Sequence, residues 1–113
     1  MPRRRANPVT GCPLTAALAA IGGKWKLIII YWLAKEPTHF AGLRRKMSRI
    51  SPKVLTQQLR ELQADGLVDR LAAVRKADPV IYSLTPYGRA LLPLVEGVRR
   101  WGRSHLERQE PEP

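Results

Sequence analysis

Cysteine is almost missing from this chain: Cys12 is the single one in 113 residues. One thiol excludes an internal disulfide framework, and it cannot build a cysteine-based zinc site within one chain. Histidine is nearly as scarce. His39 and His105 stand far apart, with no HExxH or similar cluster, so no metal and no cofactor is expected. No nucleophile–base pair is present either, which speaks against an enzyme. Gly22-Gly23-Lys24 is too short a fragment to cradle a phosphate. Long apolar runs are also lacking. Leu27 to Leu33 is the longest, far short of the roughly 20 residues that cross a bilayer. Met1 to Pro8 carries Arg3, Arg4 and Arg5 without the apolar core of an export signal behind it. A cytoplasmic protein with no membrane partner is expected. Negative charge is the last shortage: 9 acidic residues oppose 20 Lys and Arg, for a formal charge of +11. A domain so basic calls for an acidic partner, most often nucleic acid and less often an anionic membrane surface.

What the chain does contain is enough apolar material, 44%, for one small domain with its own core. Ser51 to Leu62 is the most informative stretch. Leu55, Leu59 and Leu62 recur at the spacing of a buried helical stripe, and Lys53, Thr56, Gln57 and Arg60 occupy the opposite face. That second face holds groups that hydrogen-bond bases and phosphates. Ser51 followed by Pro52 marks the helix start, a hydroxyl cap and then a proline whose missing N–H costs nothing. Such a helix is either the reading helix of a helix-turn-helix protein or an ordinary surface helix with a solvated face.

The neighbouring segments bear on that choice. Residues 1–11 form an Arg- and Pro-rich arm expected to be flexible. A first helix is expected from Leu14 to Ile21, ended by Gly22-Gly23. The isoleucine run within Lys24 to Glu36 suits a buried strand, but its length of about three turns and the stop at Glu36-Pro37 favour a second helix, apolar nearly all round and so central. Thr38 to Phe40 is expected to be extended and Ala41 to Ser48 a short helix, with Arg44, Arg45 and Lys46 on its outer face. Arg49-Ile50 then connects to the Ser51 cap, giving helix-turn-helix spacing over about 41–65. Asp65-Gly66 closes the reading helix. Leu67 to Val74 and Val80 to Leu84 are expected to pair as a wing over about 67–84, with Arg75 and Lys76 at its tip. A solvated charged hairpin is the alternative there. Thr85-Pro86 repeats the cap-then-proline signature, and a long helix follows over about 86–106, with Pro93 placed to kink or interrupt it. Its stripe of Leu91, Leu94, Val95, Val98, Trp101 and Leu106 suits either a dimer surface or packing back on the domain. Residues 107–113 are expected to be a disordered tail.

Taken in order, Cys12-Pro13, Ile21-Gly22-Gly23-Lys24-Trp25, Phe40-x-x-Leu43, Ile50-Ser51-Pro52-Lys53-Val54-Leu55-Thr56-x-x-Leu59-Arg60-x-Leu62-x-x-Asp65-Gly66-Leu67-Val68, Tyr82-x-Leu84-Thr85-x-x-Gly88 and Trp101-Gly102 resemble the HxlR-type winged helix-turn-helix regulators, relatives of the MarR group. The match spans about Cys12 to Gly102. It implies a mainly α (α+β) fold over 12–106, a winged helix-turn-helix with a two- to three-stranded wing sheet and N- and C-terminal dimerisation helices. It also implies a homodimer on double-stranded DNA, with inverted-repeat operators. The family commonly has a basic residue where His39 stands, so a backbone contact at that point is in doubt.

The candidate DNA-binding residues divide by task. Arg44, Arg45, Lys46, Arg49, Arg75 and Lys76 suit phosphates, and so do the N–H groups behind Ser51. Thr56 and Gln57 suit bases, while Lys53 and Arg60 suit either. Cys12 is the one candidate for chemistry. A helix N-terminus and nearby cations favour its thiolate, and some relatives use a cysteine at this place to sense an oxidant or small electrophile; the alternative is an inert interface thiol. Trp25, Trp32 and Trp101 line a small-molecule pocket or belong to the core. The competing function is a sequence-blind, architectural nucleic-acid-binding protein, and a third reading is a winged helix turned to protein contacts.

Overall fold

The computed structural model describes residues 11–72 and 75–109. The expected N-terminal arm, apart from Gly11, and residues 110–113 of the expected tail lie outside that range.

Six helices and three strands are described, in the order α1 (Pro13–Ile21), α2 (Lys26–Lys35), β1 (Thr38–His39), α3 (Phe40–Lys46), α4 (Pro52–Ala64), β2 (Val68–Leu71), β3 (Ile81–Leu84), α5 (Pro86–Arg89) and α6 (Leu92–Gln109). The apolar run at Leu27 to Leu33 is helical, and α2 is the centre of the molecule. Ile29, Ile30 and Leu33 are completely buried there. Leu43 of α3 and Leu55, Leu59 and Leu62 of α4 meet them in one core, closed by Leu67, Val68, Leu84 and Val95. The three strands form an antiparallel sheet in the order β1-β3-β2. Val68 faces Leu84 and Leu71 faces Ile81 across the wing, and Thr38 faces Tyr82 on the other edge. The fold is a winged helix-turn-helix.

Several expected boundaries move. Phe40 is not extended: it is the first residue of α3, which ends at Lys46 and not at Ser48. β2 begins at Val68, because Leu67 belongs to the turn that closes α4. The long helix expected over 86–106 is two helices, broken at Ala90 and Leu91. The break lies upstream of Pro93 for a steric reason. In one continuous helix the proline ring would meet the Arg89 carbonyl, and proline has no N–H to bond it. α5 therefore ends at Arg89, and Pro93 sits in the first turn of α6, where it is tolerated. Glu107 to Gln109, expected in the tail, continue α6.

Beyond the core contacts of Val68 and Leu84, hydrogen bonds of Thr85 join the wing to the helices. Thr85 caps α5 by accepting the Gly88 N–H (2.9 Å), and its hydroxyl donates to the Gly66 carbonyl (2.7 Å). The Thr85 N–H reaches the Leu67 carbonyl at 3.2 Å. α5 lies so close that a Cβ on Gly88 would stand 2.2 Å from that carbonyl oxygen. The C-terminus of α4, the wing and the start of α5 are thereby one unit.

Candidate nucleic-acid interface

Both ends of α4 are fixed by its own sequence. Ser51 Oγ accepts the Val54 N–H at 3.1 Å, and Pro52 takes the first helical position. At the other end Gly66 adopts φ 77°, the left-handed region that a side chain disfavours. Its N–H bonds the Gln63 carbonyl, and the Leu67 N–H reaches back to Leu62. This doubly bonded closure buries Leu62 and Leu67 beside each other's turn. Between those ends the leucine face is sealed in the core. Pro52, Lys53, Thr56, Gln57 and Arg60 line a single shallow concavity of about 420 Å³ on the outer face. Lys53, Gln57 and Arg60 are exposed and Thr56 is half-buried. The structure thus brings the four candidate readers to one surface.

A second, larger groove of about 550 Å³ runs between α3 and the start of α4, lined by Arg44, Arg45, Arg49, Ser51 and Pro52. Three guanidinium-bearing residues converge there, an arrangement that attracts a phosphate. The connection is taut. Arg49 holds φ 78°, a conformation costing a side chain about 1–2 kcal/mol. Arg44 Nε donates to the Ile50 carbonyl at 3.2 Å, and the Ile50 N–H to Met47 at 3.3 Å. Lys46 is placed differently: its Nζ lies 3.7 Å from Glu36 and 5.7 Å from the Trp32 ring centre, on the side facing α2. At the wing tip Arg75 and Lys76 are exposed, and Arg75 Nε is 3.6 Å from Asp78, which also accepts the Arg75 backbone N–H.

One element of this surface escaped the sequence. Lys26 opens α2 and is buried, with its Nζ 2.7 Å from Glu61 Oε1 on α4. The other carboxylate oxygen, Oε2, accepts from Gln57 Nε2 at 3.4 Å. Glu61 follows Gln57 by four residues and so shares its face. A lysine at the head of a largely apolar helix, with no acid on that helix, was the one available signal.

A different face carries apolar side chains into solvent. Leu14 and Leu18 of α1 are 67% and 58% exposed, and Leu94, Val98, Trp101 and Leu106 of α6 are similarly open. Trp101 stacks on His105 with ring centres 4.8 Å apart, whereas Trp25 and Trp32 pack on the core. Cys12 is the N-cap of α1 and is exposed. A hydrogen bond with the Thr15 side chain, followed by backbone bonds of Thr15 and Leu14, draws its thiol below the ordinary pKa. Among the described residues no group of three or more His, Cys, Asp or Glu could hold a metal ion. Among them no single helix is long and apolar enough to cross a membrane.

Comparison with known proteins gives a consistent picture. The profile of the HxlR-like helix-turn-helix family matches residues 20–110. The HTH-type transcriptional regulator YybR of Bacillus subtilis is 43% identical over 97 residues, 86% of this chain and 78% of YybR. The crystal structure of the HTH-type regulator YtcD superposes with a TM-score of 0.80 at 38% identity, covering 85% of this chain and 98% of that one. The redox regulator HypR in its oxidised form gives 0.79 at 43% identity, covering 82% and 96%.

Proposed function

We propose, from the premise that this chain belongs to the HxlR-like helix-turn-helix family and is a transcriptional regulator and not an enzyme, that it binds inverted-repeat DNA operators as a homodimer in the cytoplasm. The observation that carries the reading is α4. Its leucine face is locked in the core while Lys53, Thr56, Gln57 and Arg60 share one open surface. Laid in a major groove, that surface offers the Gln57 amide to adenine, the Thr56 methyl to thymine and the cations to guanine or phosphate. The arginine groove beside it and the Arg75/Lys76 tip supply charge that grips the backbone without reading sequence. The exposed apolar side chains of α1 and α6 are the surface a second copy would cover. In a two-fold dimer the two α4 helices would then lie about 34 Å apart, one turn of DNA.

Cys12 supplies the signal in this reading. A lowered pKa and full exposure favour the reactive thiolate, and the oxidised HypR structure is a redox regulator of closely similar fold. With α1 in the dimer contact, two Cys12 thiols from the two copies would lose two hydrogens to one peroxide, giving one S–S bond and two waters. An electrophile would add to the thiolate instead.

Binding to an operator duplex and to a scrambled duplex, measured at several salt concentrations, tests the DNA reading. A large preference for the operator that persists as salt rises supports it. Equal binding at every salt concentration supports a sequence-blind architectural protein instead. Operator binding unchanged by peroxide or diamide, with Cys12→Ser as control, would remove the sensor.

A further inference from the structure

We infer that Glu61 is a positioning residue for base reading, pinned by buried Lys26 so that it holds the Gln57 carboxamide in one orientation. The inference rests on the proposed contact between α4 and a major groove. Lys26 has no local reason to be where it is. A cation in the first turn of a helix opposes the helix dipole, and an ammonium side chain only 4% exposed must be matched by an opposite charge. The match comes from another element: Glu61 Oε1, at 2.7 Å. That contact takes up one carboxylate oxygen and fixes the rotation of the group. The second oxygen is left directed along α4, 3.4 Å from Gln57 Nε2.

A carboxylate only accepts hydrogen bonds, so it selects between the two flips of the glutamine amide. The NH₂ must face Glu61, and Oε1 must face away from it. One N–H and the carbonyl oxygen stay available, which is the donor–acceptor pair that adenine requires at N7 and N6. Without the carboxylate the amide turns freely, and either flip meets the base. The ion pair with Lys26 also offsets the one acidic charge among the α4 residues of this surface, which would otherwise repel phosphates.

The test uses the full chain and a panel of operator duplexes with each base pair replaced in turn. Gln57→Ala first identifies the position that Gln57 reads, where discrimination of roughly 5- to 150-fold should collapse. Glu61→Ala should lower discrimination at that same position by about fivefold or more, and at no other. In a Gln57→Ala background it should lower it no further. Glu61→Ala strands a buried ammonium, so the double substitution Lys26→Met with Glu61→Ala is the second variant, with the same result expected. A purely structural or electrostatic role would shift every duplex together. Wild-type discrimination at the Gln57 position in the double variant overturns the inference. If Gln57→Ala changes no single position, base reading by Gln57 fails, and the inference falls with it.

Discussion

Gln57 and Arg75 are both exposed polar residues, yet they should fail differently. Gln57→Ala should relax preference at one operator position and leave binding to scrambled DNA unchanged. Arg75→Ala should weaken all DNA alike and reduce the slope of log K against log salt by about 1. Affinities for both duplexes across a salt series distinguish them. Cys12 is testable without DNA. Because hydrogen bonding with Thr15 lowers its pKa, iodoacetamide should modify it faster near neutral pH than an ordinary cysteine peptide. Its rate should rise with pH and level off at a lower pH than the peptide's, and Thr15→Ala should move that midpoint upward. Shared surfaces and contacts were legible where they depend on spacing along one helix, as with Thr56 and Gln57. They were hidden where a fold contact decides them. Nothing in the order of residues links Lys26 to Glu61, and nothing there turns Lys46 toward Glu36 and Trp32.

α4 and α5 stand on N-terminal signals that are local and strong. Ser51→Ala removes the acceptor of the Val54 N–H and should cost about 0.5–2 kcal/mol, read as a fall in thermal midpoint. Leu59→Ala, at a core position that is 1% exposed, should cost about 2–5 kcal/mol. Gly88→Ala should do something different, because its methyl would strike the Leu67 carbonyl. The clash pushes α5 away from the wing, so loss of DNA binding should accompany the loss of stability. Caps and stops such as Ser51-Pro52, Asp65-Gly66 and Thr85-Pro86 were readable because each is complete within a few residues. The break between α5 and α6 was only half readable. Pro93 announced a disturbance, but its steric reach four residues back placed the break at Ala90 and Leu91. The α3 boundary slipped because Phe40 suits a strand as well as a helix that buries one face.

At the scale of the whole molecule, charge and apolar surface divide the labour. The basic grooves lie on α3 and α4, and the open leucines and Trp101 lie on α1 and α6. Composition announced a nucleic-acid partner through the +11 charge, and the α6 periodicity announced a surplus apolar stripe. Which side of α6 stays uncovered depended on how Val95 packs inward, a tertiary fact. Val98→Asp, on the exposed side, should convert a dimer to a monomer in sedimentation and cost most of the operator affinity while preserving the helical circular dichroism spectrum. The central claim, that α4 reads DNA twice from a symmetric pair, meets its most direct test in selection of bound duplexes from a random pool by the purified chain. One inverted repeat should be enriched, with half-site centres about 10–10.5 base pairs apart or a multiple of that. Recovery of no enriched sequence from the bound fraction would contradict it.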